Sequence, residues 1–129
     1  MNTKTTTKYL RAIYQLSLTN KSVRQIDLAL LLGYARSSVS LAIKSLQRQG
    51  LIIVENHEIR LTDKSFLLAR KQYLQYQQLV ILLVELGIEL YQAQEYAVKL
   101  EENFDDDLID LIIKNVRTKR LFKENELLY

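Results

Sequence analysis

Three glycines, Gly33, Gly50 and Gly87, and no proline are all that interrupt the regular hydrogen bonding of 129 residues. Such sparse punctuation favours helices joined by short turns, each glycine being a candidate stop. Apolar spacing predicts a first helix over 3–18, with Tyr9, Leu10, Ile13, Tyr14 and Leu16 on one face. Ser22 is the expected N-cap of a second helix, Val23 to Leu32, whose inward face would be Val23, Ile26 and Leu30 with Leu31 at its margin. A third helix is expected from Arg36 to Arg48 or Gln49, with Val39, Ala42, Ile43 and Leu46 inward and Gly50 just past its end. The character then changes. Residues 51–55 and 58–62 are β-branched and alternating, and Asn56-His57 forms a two-residue turn between them. A long helix should follow from Lys64 to about Leu86, capped by Thr62 or Asp63 and stopped by Gly87. Two more are expected, from about Tyr91 to Asn103 and from Asp105 or Asp106 to about Asn115, and the mixed-charge tail 116–129 is a further helical candidate.

Helix, helix, glycine turn, helix and hairpin is the order of a winged helix-turn-helix. The fold class is therefore mainly α: a winged helix-turn-helix DNA-binding domain, 1–63, followed by an all-helical dimerisation domain, 64–129, with a hinge near 62–72 on the long helix. Charge divides the same way. Residues 1–72 carry twelve Lys/Arg against four Asp/Glu, and residues 73–129 carry six against eleven, within an overall net charge of +3. A basic first half can meet phosphate. The composition, 48% hydrophobic and 26% charged, is that of a folded soluble domain. No cysteine is present, so disulfides and Cys-type zinc sites are excluded. An enzyme is disfavoured by the lack of cysteine, a single histidine in a turn, no Gly-rich phosphate loop and no nucleophile–base pair. The polar start, the absence of a secretory h-region and the shortness of the apolar run 79–86 point to a cytoplasmic protein with no membrane partner.

The third helix is the one expected in the major groove of a double-stranded DNA operator. Ser37, Ser38 and Ser40 allow close approach and offer hydroxyls to phosphate or base edges. Arg36 can pair with a guanine edge, Leu41 can touch a thymine methyl, and Lys44, with Arg48 if it lies inside the footprint, can meet phosphate. Arg24 and the hairpin-tip pair Asn56 and His57 are backbone-contact candidates. Against this, Ser37 or Ser38 could simply cap the helix, and Lys44 and Arg48 could be solvated charges.

The arrangement resembles the diphtheria toxin repressor and manganese transport regulator family of metal-dependent repressors. The resemblance rests on Tyr9 to Leu16, on Ser37 to Ser40 followed by Leu46 to Ile52, on Leu61-Thr62 leading into a long helix, and on Ala97 to Glu102. It implies a cytoplasmic homodimer that binds a palindromic operator when Mn(II) or Fe(II) links the first helix to the dimerisation domain. The ligand positions depart from that pattern. Lys8 and Arg11 stand where the first helix would supply donors. Tyr76 or Gln77 stands in place of a histidine, and Val98, Glu101 and Glu102 stand for the remaining ligands. An ammonium and a guanidinium have no lone pair to give a cation. The expectation is that no metal cofactor is needed and that Lys8, with Arg11, pairs with Glu101 and Glu102 instead. The carboxylates at 101, 102 and 105–107 could attract a hard cation, but helix capping by Asp105 or Asp106 accounts for them better.

The apolar run 79–84 cannot be solvated all round a helix, so it is buried either within the chain or across a two-fold interface, and the resemblance favours a homodimer. Two alternatives remain. One is a winged helix regulator responding to a small ligand held by Tyr73, Tyr76, Tyr91 and Tyr96. The other is a helical protein-interaction module that has lost DNA binding.

Overall fold

The computed structural model describes the backbone of residues 1–126 and the side chains of residues 1–116. Its elements are α1 (Thr3–Ser17), α2 (Gln25–Leu32), α3 (Arg36–Arg48), β1 (Ile52–Glu55), β2 (Glu58–Leu61), α4 (Asp63–Glu85), α5 (Leu90–Asn103) and α6 (Asp106–Glu126). The chain forms two compact units, Met1–Leu74 and Gln75–Tyr129, and α4 begins in the first and ends in the second. It is a mainly helical fold with one two-stranded antiparallel hairpin, the architecture expected of a winged helix followed by helices.

In the first unit α1 supplies the centre of the core. Leu10 and Ile13 are completely buried, with Tyr9 and Ala12 beside them. Leu28 and Ala29 of α2, the four expected residues of α3, and Ile52 and Ile59 of the hairpin pack into the same cluster. The α3 expectation holds because its apolar residues recur at i, i+3, i+4 and i+7 and so fall on one stripe. Gly50, at φ +71°, lets the chain leave α3 in the left-handed conformation while the Leu51 N–H donates back to the Leu46 carbonyl.

The start and the inward face of α2 differ from expectation. The helix begins at Gln25 with Arg24 as N-cap, not at Val23 behind Ser22. Val23 stays outside the helix, and its carbonyl accepts the Ile59 N–H at 2.7 Å, which ties it to the hairpin. Asp27 then secures the helix start, its carboxylate accepting the Arg24 N–H at 2.8 Å. With the register set there, Leu28 and Ala29 point inward, and Ile26, Leu30 and Leu31 lie at the surface, Leu30 being 76% exposed.

The hairpin pairs Ile52 with Leu61 and Glu55 with Glu58. Asn56 (φ 50°) and His57 (φ 65°) are both left-handed, as a tight turn matched to strand twist requires. At the entry to α4 the Thr62 carbonyl accepts the Ser65 and Phe66 N–H groups, while its hydroxyl donates to the Gly50 carbonyl at 2.8 Å. The buried Ser65 hydroxyl donates to the Leu51 carbonyl at 2.6 Å. These two bonds tie the first turn of α4 to the end of α3. Tyr14 extends the join, its ring meeting Phe66 edge-on at 5.7 Å and Tyr73 at 5.4 Å.

The second unit has its own core. Tyr76, Leu79, Val80 and Leu82 of α4 pack with Ala93 and Ala97 of α5 and Ile109 and Ile113 of α6. Ala93 and Ala97 are fully buried, and their small size brings α5 close to its neighbours. Of the apolar run on α4, Ile81 and Val84 stay at the surface of the single chain, as do Leu108, Leu111 and Ile112 of α6. The helix expected to end near Asn115 runs on as backbone to Glu126, and the remainder of the tail, 127–129, lies outside the described residues.

Leu10→Ala removes a fully buried side chain from the centre of the first core. It is expected to lower the stability of that unit by about 2–5 kcal/mol, measured by urea unfolding followed by circular dichroism.

Candidate nucleic-acid interface

The buried stripe of α3 decides what the helix shows to the outside. With roughly 3.6 residues per turn, the positions opposite Val39, Ala42, Ile43 and Leu46 are Ser37, Leu41, Lys44 and Arg48. All four are exposed, Leu41 at 67%. An apolar side chain this exposed, flanked by a hydroxyl and two cations, is the mixture that a groove floor and its phosphate walls would meet. Ser38 and Arg36 are also exposed but lie to either side of this line, and Ser40 is half-buried at its edge.

The helix N-terminus shows that the serines do not cap it. Ala35 is the N-cap and provides no side-chain bond. Ser37 and Ser38 sit within the first turn, so the capping alternative for them is set aside. The first-turn amides of α3 therefore lack a side-chain acceptor, and an N-terminal helix end of this kind favours an anion.

Arg24 is exposed at the start of α2, and Asn56 and His57 are exposed at the hairpin tip. The tip is not uniformly basic. Glu55 and Glu58 flank it, and Arg60, which sequence reasoning did not single out, forms an ion pair with Glu55 at 3.0 Å. The signal for Arg60 was present in the alternation of β2, which buries Ile59 and turns Arg60 outward.

The positions that the resemblance assigns to metal are placed as follows. Lys8 lies with its ammonium 5.0 Å from the centre of the Tyr34 ring, and Tyr9 packs on the same ring at 5.9 Å. Burial pushes the Tyr9 phenol above its ordinary pKa, and neighbouring Tyr34 adds to the shift. Arg11 is 5% exposed and donates from Nη1 to Gln15 Oε1 at 3.0 Å. In the second unit Tyr76 is buried, Val98 and Glu101 are half-buried and Glu102 is exposed. Among the described residues no group of three or more His, Cys, Asp or Glu side chains is arranged to hold a metal ion. The donor set does not fit a divalent cation: Lys8 and Arg11 are cationic and Val98 has no donor atom.

The tyrosines considered for a ligand pocket are divided. Tyr73 belongs to the first unit and stacks on Tyr14. In the second unit Tyr76 is buried, whereas Tyr91 is 66% and Tyr96 41% exposed, with the Lys99 ammonium 5.9 Å from the Tyr96 ring.

Residues 1–58 match the family described as iron dependent repressor, N-terminal DNA binding domain. The match lies within the first of the two compact units. Solved structures of metal-dependent regulators share the fold over most of the chain. The manganese regulator SloR is 24% identical with a TM-score of 0.70, covering 87% of this chain and 53% of its own. The metal-dependent transcriptional regulator MtsR is 24% identical with a TM-score of 0.72 over the same shares. A manganese-dependent transcriptional repressor in complex with manganese is 25% identical with a TM-score of 0.63, covering 84% of this chain and 52% of its own. The chain thus spans about half the length of these relatives. No curated protein matches it.

His57 holds a left-handed backbone at the cost of a Cβ clash. His57→Gly is expected to raise the stability of the first unit by about 1 kcal/mol, read as a shift in urea midpoint.

Proposed function

We propose that this protein is a transcriptional regulator that binds duplex DNA through α3 and does so without a divalent metal. The observation that carries the first part is the outward line Ser37, Leu41, Lys44 and Arg48, held opposite a fully buried stripe within a domain that matches the iron-dependent repressor family. In this reading Leu41 and Ser37 face base edges, Arg36 reaches a guanine at the groove margin, and Ser38, Ser40, Lys44, Arg24, Asn56 and His57 meet the sugar-phosphate backbone. The excess of cations in residues 1–72 supplies the salt-dependent part of the affinity.

Mobility shift on genomic DNA fragments at several salt concentrations tests this. The log of the binding constant should fall steeply with log salt, and Lys44→Ala should reduce that slope by about one. Lack of binding at low salt would favour a protein-interaction module.

Metal independence follows from the donor chemistry at Lys8, Arg11 and Val98. Manganese and iron are named in relatives, yet these side chains offer them no site. DNA affinity should be unchanged within about twofold between excess EDTA and excess Mn(II), in contrast to an effector contributing a coupling energy of roughly 1–3 kcal/mol. A large gain in affinity on adding Mn(II) would overturn this.

The reading extends to a homodimer. The exposed stripe Leu108, Leu111 and Ile112 on α6, with Ile81 and Val84 on α4, is apolar surface that a two-fold partner would cover. A dimer also suits two half-sites of a palindrome. Among the described residues no single helix is long and apolar enough to cross a membrane, and a regulator of this kind would act in the cytoplasm.

A further inference from the structure

A cavity of about 310 Å³ lies in the first unit between the end of α1, the loop to α2 and the root of the hairpin. Ile13, Val23 and Ile59, each no more than 3% exposed, contribute apolar side chains to it, and Phe66 of α4 lines it too. Its polar lining includes Ser22, Lys21, Glu58 and Arg60. We propose that this cavity binds a small amphipathic monoanion, an aromatic or branched-chain carboxylate. Its apolar body would rest on Phe66 and Leu61, over the buried Ile13, Val23 and Ile59, and its carboxylate would meet Lys21.

Size, lining and charge select that class. The volume falls at the lower end of the roughly 300–1,000 Å³ usual for small-molecule sites, and apolar walls with a few polar groups are their usual composition. Arg60 is committed to Glu55, whereas Lys21 has no ion-pair partner among the described residues. An apolar floor with one uncommitted cation favours one negative charge on an apolar body. Glu58 on the same lining disfavours a second.

The position gives the site a consequence. Val23 and Ile59 both line the cavity, and they are joined by the 2.7 Å bond from the Ile59 N–H to the Val23 carbonyl. A ligand seated over both reinforces the seat of the hairpin on the helices. It thereby changes DNA affinity to the extent that the hairpin contacts DNA, a step that rests on the proposed function. Binding itself does not.

The test uses the full chain, isotopically labelled, titrated by NMR with benzoate, benzyl alcohol and benzylamine at millimolar concentrations. Benzoate should give saturable amide shifts at Val23 and Ile59 and bind about tenfold more tightly than benzylamine, the effect of one charge-assisted contact. Lys21→Glu, an exposed change, should remove that preference, and Val23→Phe should fill the space and abolish binding. No saturable shift with benzoate, equal binding of the amine, or benzoate binding unaltered in Lys21→Glu would each overturn the assignment. Mobility shifts with and without benzoate then read the coupling. Altered DNA affinity supports it, and unaltered affinity with intact NMR binding overturns the coupling while leaving the site.

Discussion

The outward surface of α3 depends on one constraint: four of its side chains, Val39, Ala42, Ile43 and Leu46, are taken out of water by α1, α2 and the hairpin. Because they occupy a single stripe, the helix has no rotational freedom, and Ser37, Leu41, Lys44 and Arg48 are held outward. A leucine exposed between a hydroxyl and two cations is costly to leave in water and would gain from meeting a base methyl group. The proposed reading face is thus a by-product of core packing, and its precision is that of the core.

The hairpin and α4 are fastened to that core by polar bonds. Val23 gives up helical conformation to bond with Ile59, and Thr62 and Ser65 return hydroxyls to the carbonyls of Gly50 and Leu51. These bonds satisfy backbone groups at the joins between elements, the Leu51 carbonyl accepting from the Thr62 N–H as well. Tyr14 continues the fastening along α4 through Phe66 and Tyr73. The first turns of α4 consequently move with the DNA-binding domain.

The two cations of α1 singled out by the resemblance are each held within the first unit. Lys8 rests against Tyr34, in the turn between α2 and α3, and Arg11 is buried with its guanidinium donating to Gln15. A cation over an aromatic face gives an attraction of about 0.5–2 kcal/mol, which holds α1 to the helix-turn-helix within one unit.

The sequence by itself determined the helical fold, the hairpin and the burial of α3. Each of these follows from local periodicity or a glycine stop. Only the tertiary structure decided where α2 begins and which way it faces. The deciding bond joins Val23 to Ile59 across the fold, and the apolar run 25–32 has no periodicity that could reveal it. The same holds for Ser37 and Ser38, whose freedom from capping depends on Ala35 taking the N-cap, and for the Glu55–Arg60 pair that tempers the charge of the hairpin tip. The placing of Lys21 on a cavity with Glu58 and Arg60 is likewise invisible in sequence, because the lining comes from three separate segments brought together by packing.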